Sequence, residues 1–60
     1  MMNQLPQDPF ILLSYVNTQL RDNYPSLDEL CKSLDVDRAE LERRLADAGF
    51  EYSEEQNKFW

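Results

Sequence analysis

The sequence has no histidine, a single cysteine and a single glycine among 60 residues. Each scarcity removes a class of chemistry. One thiol cannot close an internal disulfide, and without imidazole a structural zinc site lacks enough soft ligands. A cysteine nucleophile would have no histidine base to activate it. No apolar stretch approaches the roughly 20 residues that a membrane-spanning helix needs. Met1-Met2-Asn3-Gln4 places no basic residue ahead of an apolar run, so no signal peptide is expected, and a lone thiol fits a reducing cytoplasmic setting. Positive charge is also scarce. Six Lys and Arg against twelve Asp and Glu leave a net charge of -6. Nucleic acids and anionic membranes both draw their affinity from cations, so both are disfavoured as partners.

What is present describes a folded domain. The balance of 42% hydrophobic and 30% charged residues is too apolar for a disordered tail. The length allows one small domain over residues 1–60, with no repeat and no linker. A chain this short buries only about 60% of the surface it exposes when unfolded. Lacking staples, it relies on close packing or on a second copy of itself.

The spacing predicts helices over about 9–22, 27–34 and 38–48. Asp8 can cap the first helix, and Pro9 suits its first position because the missing N–H is not needed there. Leu12, Leu13, Val16 and Leu20 form one stripe; Ile11 and Tyr15 widen it to an arc of roughly 200°, with Ser14, Asn17 and Thr18 opposite. Pro25 pushes the residue before it toward extended geometry and ends the helix. Arg21 favours the helix's negative pole, and Asp22 is placed to bridge a neighbouring backbone N–H or another element. Ser26 and Glu29 can form a capping box, followed by an apolar face of Leu27, Leu30, Cys31 and Leu34. Asp37 and Glu40 repeat that grammar, with Val36 placed to pack on Leu41. Gly49 falls where a left-handed C-cap is wanted, letting Phe50 fold back on Leu45. Beyond it, Phe50-Glu51-Tyr52 and Lys58-Phe59-Trp60 flank a polar stretch. A small hairpin over 50–60 is favoured there over an acidic tail with one more helical turn.

The expected fold is therefore mainly α: a three-helix domain with a helix-turn-helix-like core and a small C-terminal β-hairpin, winged-helix-like in order. Its leucines from Leu27 to Leu45 clamp two short helices, with Cys31 as the small residue where they cross. This spacing specifies a shape better than it specifies DNA. In the DNA reading, Arg38, Arg43 and Arg44 on the third helix would contact nucleic acid. In the plainer reading the same face is solvated, with ion pairs such as Glu40 to Arg43 or Arg44 and Arg43 to Asp47. Cys31, on an apolar stripe, is expected to be buried and inert. The acids Asp28-Glu29, Asp35/Asp37 and Glu54-Glu55 match no calcium loop. No catalytic, cofactor-binding or metal-ligating set emerges, so an enzyme is not expected and no cofactor is implied.

The first helix is unusual. Pro9 to Leu20 carries no charge on an otherwise charged chain. It is either the central core helix or a helix that also docks on another chain, with Ile11, Tyr15, Tyr24 and Trp60 as the interaction surface. The expected function is a non-enzymatic protein-interaction module whose partner is itself or a larger protein. The alternative is a helix-turn-helix nucleic-acid-binding regulator.

Several segments also carry a resemblance. Leu5-Pro6-x-Asp8-Pro9, Leu12-Leu13-Ser14, Leu20-Arg21-Asp22-x-Tyr24, Ser26-Leu27-Asp28-Glu29-Leu30-Cys31, Gly49-Phe50-x-Tyr52 and Asn57-x-Phe59 follow one another across nearly the whole chain. In this order they resemble a family of short bacterial proteins catalogued as a domain of unknown function. Gln4 interrupts that family's Asn-Leu-Pro start and puts Asn3 out of register, and the chain closes with Trp60. The resemblance implies a bacterial, cytoplasmic, free-standing small protein and brings no activity, cofactor or catalytic residue with it.

Overall fold

Short polar side chains start all three helices. The Asp8 carboxylate accepts from the backbone N–H groups of Phe10 (2.8 Å) and Ile11 (3.3 Å), opening α1 over Pro9–Asp22. Ser26 Oγ accepts from the Glu29 N–H at 3.2 Å and opens α2, Leu27–Leu34. Asp37 accepts from the Ala39 N–H at 3.0 Å and opens α3, Arg38–Ala46. The computed structural model describes residues 5–60; the expectations placed on Met1 to Gln4 lie outside this range.

The helix ends are equally local in origin. At the end of α2, Asp35 turns left-handed at φ 59 and ψ 47, a conformation that Asp tolerates better than most residues. The Val36 N–H returns to the Cys31 carbonyl at 2.9 Å, so no continuous helix runs through Val36. α3 ends at Ala46, two residues short of the expected boundary at 48. Its last turn tightens instead: the N–H groups of Ala48 and Gly49 reach the Leu45 and Ala46 carbonyls, three residues back. Gly49, at φ 94, then reverses the chain, and the Phe50 N–H bonds the Leu45 carbonyl at 2.9 Å.

Among the described residues, nine buried side chains form the core: Leu12, Val16 and Leu20 from α1, Leu27, Leu30 and Cys31 from α2, Leu41 and Leu45 from α3, and Phe59. An eight-residue helix such as α2 is too short to persist alone in water, so this burial holds it. The fully buried stripe of α1 recurs every fourth residue and is narrower than the expected arc. Leu13 and Tyr15 are half-buried against the core, and Ile11 lies on the surface.

After α3 the chain forms a hairpin rather than a tail. β1 (Tyr52–Ser53) and β2 (Lys58–Phe59) are antiparallel, with Tyr52 opposite Phe59 and Ser53 opposite Lys58. Glu51 and Trp60 extend the ladder by exchanging both backbone bonds, at 3.1 and 3.0 Å. The architecture is mainly α, three helices with a small two-stranded C-terminal sheet, and is compatible with a winged-helix-like arrangement.

Two asparagines fasten this sheet to the helices. Asn17 of α1 donates from Nδ2 to the Phe59 carbonyl (2.9 Å) and accepts at Oδ1 from the Phe59 N–H (2.8 Å). Its carboxamide thus imitates one rung of a β-ladder. Asn57, in the hairpin loop at φ 54, donates to the carbonyls of Leu20 (3.1 Å) and Tyr24 (3.0 Å). Leu20 belongs to the last turn of α1, whose carbonyls have no partner within the helix. Asn57 Oδ1 also accepts from the Tyr52 hydroxyl at 2.7 Å, and that hydroxyl accepts from the Leu27 N–H at 3.2 Å.

Asn17→Ala improves local helix propensity while leaving both backbone groups of Phe59 without their partner. A stability loss of about 1–3 kcal/mol in urea unfolding is expected. Hydrogen exchange followed by NMR should show the Phe59 amide exchanging far faster than in the parent, with the α3 amides following only the global change.

Candidate interaction surface

Among the described residues, the large apolar side chains left exposed lie at the start of α1 and at the end of the hairpin. Phe10 is 64% exposed, Ile11 58% and Trp60 62%. Phe10 still has one partner inside the molecule: its ring meets Phe50 edge-on, with centroids 5.8 Å apart. Trp60 follows the buried Phe59 on the opposite side of the strand, and the Lys58 ammonium lies 5.3 Å from its ring centroid. Tyr15 and Tyr24, the other two residues expected at an interaction surface, are half-buried against the core. The Tyr24 hydroxyl pairs with Ser33 Oγ at 2.9 Å. The four expected residues therefore divide, two outward and two packed inward. Phe10 was absent from that expectation. Its place one turn before Ser14 was the signal available.

The arginines of α3 are engaged within the molecule. Arg38 bonds Asp28 at 2.7 Å and Glu42 at 3.3 Å, and its guanidinium reaches Glu54 at 3.9 Å. The same group lies 5.5 Å from the centroid of the Tyr52 ring. Hydrogen bonding to Asp28 is the main influence that raises its pKa above the ordinary arginine value, with desolvation opposing. Arg43 pairs with Glu40 at 2.6 Å and with Asp47 at 3.7 Å, one turn before and one turn after it. Arg44 donates to the Pro6 carbonyl at 2.7 Å. At the end of α1, Arg21 and Asp22 pair with each other at 2.9 Å, so Asp22 bridges its own neighbour rather than another element. This exposed contact lowers the Asp22 pKa, chiefly through the hydrogen bond from Arg21.

Cys31 is buried, and burial pushes its thiol pKa up, with the nearby Arg38 charge acting in the opposite sense. A thiol held protonated among leucines is a packing group. Among the described residues no group of three Cys, Asp or Glu side chains is placed to hold a metal ion, and no helix is long and apolar enough to cross a membrane. The surface does contain an open groove of about 640 Å³ between α1 and the hairpin loop, bordered by Ser14, Thr18, Arg21, Gln56 and Lys58.

A family model described as Domain of unknown function (DUF4250) matches residues 6–59. The chain belongs to this family. No curated protein and no solved structure matches it. For this DUF4250 domain the matched range takes in all three helices and the hairpin, so the two asparagine contacts lie within the family's span.

Arg38 stands between three carboxylates on α2, α3 and the hairpin loop. Replacing it with an uncharged side chain of similar length, Arg38→Met, leaves those carboxylates facing one another. The variant should melt at a lower temperature and should gain more from added sodium chloride than the parent does, read by circular dichroism at low and high ionic strength.

Proposed function

We propose that this domain is a small non-enzymatic protein-interaction module working in the bacterial cytoplasm. The observation that carries the reading is the exposure of Phe10, Ile11 and Trp60 on a domain whose core closes without them. Large aromatic and aliphatic side chains left in water at a helix start whose one charge is the capping Asp8 are the composition of a contact surface. A buried, unpaired thiol goes with a reducing compartment. The residues described here offer no nucleophile with an adjacent base, and catalysis forms no part of the proposal.

The alternative, a nucleic-acid-binding regulator, draws support from the α2-turn-α3 arrangement. Charge argues against it. Phosphate contact by Arg38 or Arg43 would first break pairs with acids, Arg44 would have to leave the Pro6 carbonyl, and the whole chain carries -6.

A photo-reactive amino acid at position 11, introduced into the full chain in its native cell, tests the interaction reading. A discrete protein adduct that disappears with Phe10→Ser is expected. No adduct, or one indifferent to Phe10→Ser, overturns it. For the alternative, fluorescence titration with duplex DNA and with single-stranded RNA at about 50 mM salt, where phosphate contacts are strongest, should show no binding.

A further inference from the structure

The groove of about 640 Å³ between α1 and the hairpin loop differs in charge from the rest of the surface. Two of the chain's six basic residues, Arg21 and Lys58, border it, and none of its twelve acids does. Lys58 pairs with no carboxylate among the described residues and lies over the Trp60 ring instead. Arg21 commits Nε and Nη2 to Asp22, at 2.9 and 3.1 Å. That pairing fixes the plane of the guanidinium and leaves its end-on edge, Nη1 with the second Nη2 hydrogen, to receive another carboxylate. The negative pole of α1 would oppose an anion here, but it is already met. Asn57 donates to the Leu20 carbonyl, and the Asn23 and Tyr24 N–H groups donate to that of Gln19.

The helix side of the groove matches the repeat of an extended chain. Ser14 and Thr18 are exposed and one turn apart, and each hydroxyl can both donate and accept. They lie about 6 Å apart along the axis, close to the roughly 6.7 Å at which same-side groups recur on a strand. Asn17, on the same helix, already holds the backbone of Phe59 through its side chain. We propose that the groove binds an extended acidic peptide segment, with its backbone along Ser14 and Thr18 and its carboxylates on Lys58 and the open edge of Arg21. This deepens the interaction reading by giving the partner's chemistry. A nucleic acid fits less well: its phosphates continue past two cations toward Asp22 and Glu55, the acids next in sequence to the groove, on a chain of charge -6. A segment with one or two carboxylates is satisfied by the two cations present. Exposed charge pairs contribute little each, so the dissociation constant falls at about 0.1–1 mM.

The probe is an octapeptide of alternating Glu and Ser, titrated to about 5 mM into the full chain at about 50 mM salt and followed by amide NMR shifts. The amides of Ser14, Thr18, Arg21, Gln56 and Lys58 should move together. The same peptide with Gln in place of Glu should move none of them. Lys58→Gln should weaken binding about threefold, whereas Lys32→Gln, the same change of net charge at an exposed lysine of α2, should leave it unchanged. Both lysines are exposed, and circular dichroism verifies that both variants are folded. No movement with the Glu peptide overturns the proposal, as does equal movement with the Gln peptide or equal weakening by the two lysine variants. A thymidine octanucleotide that moves the same amides at lower concentration than the peptide gives the groove to nucleic acid and overturns it too. The interaction reading fails separately: no movement here, beside a Phe10-dependent adduct at position 11, removes the acidic segment and leaves that reading standing.

Discussion

The structure depends on one side chain reading both backbone groups of one residue. Two strands of two residues each do not make a stable sheet in water. The carboxamide of Asn17 supplies the missing rung by satisfying the N–H and the carbonyl of Phe59 together. With that backbone fixed, the Phe59 ring enters the core and lies 5.4 Å from the ring of Tyr52. The Tyr52 hydroxyl is thereby brought to the start of α2, and Asn57 to the end of α1. Sheet, helix start and helix end are tied through a few neutral hydrogen bonds, each worth about 1 kcal/mol and each costly to leave unmade once its groups are shielded.

This arrangement divides the surface. Most charged groups of α2 and α3 answer one another locally, so that side of the molecule is occupied with its own electrostatics. The opposite assignment holds for the start of α1, where Phe10 and Ile11 face water and the one charge beside them is the capping carboxylate of Asp8. The polar side of α1 is itself divided: Asn17 faces the hairpin, and Ser14 and Thr18 face out. One helix therefore serves the interior with its leucines, the sheet with an amide and the exterior with an uncharged strip.

Local signals were legible in the sequence. Asp8, Ser26, Asp37 and Gly49 act within a few residues of themselves, and each marks a helix boundary through its own backbone chemistry. The leucine stripes were legible for the same reason, since periodicity reports which side turns inward. Asn17 reads as a solvent-facing residue because its partner lies 42 residues away. Asn57 reads as loop polarity because the carbonyls it satisfies are 33 and 37 residues distant. Arg38 looks available to a ligand until the fold gathers Asp28, Glu42 and Glu54 around it. Tyr15 shows the limit of the wheel: a wide apolar arc does not say which edge the remaining elements will cover. Phe10 sits on the flank of the stripe, and only its one-turn relation to the exposed Ser14 marks it as an outward group.

The separation between Asn17 and Phe59 also orders the acquisition of structure. α2 and α3 are joined by a short turn and meet through contacts close in sequence, which form at little entropic cost. The final rung must close a loop spanning most of the chain, and its reward arrives only when the Phe59 ring has entered. A chain cut before Phe59 loses both the ring that completes the core and the rung that closes the loop, and it exposes the leucines that the ring covers, which is the kind of surface through which unfinished chains associate.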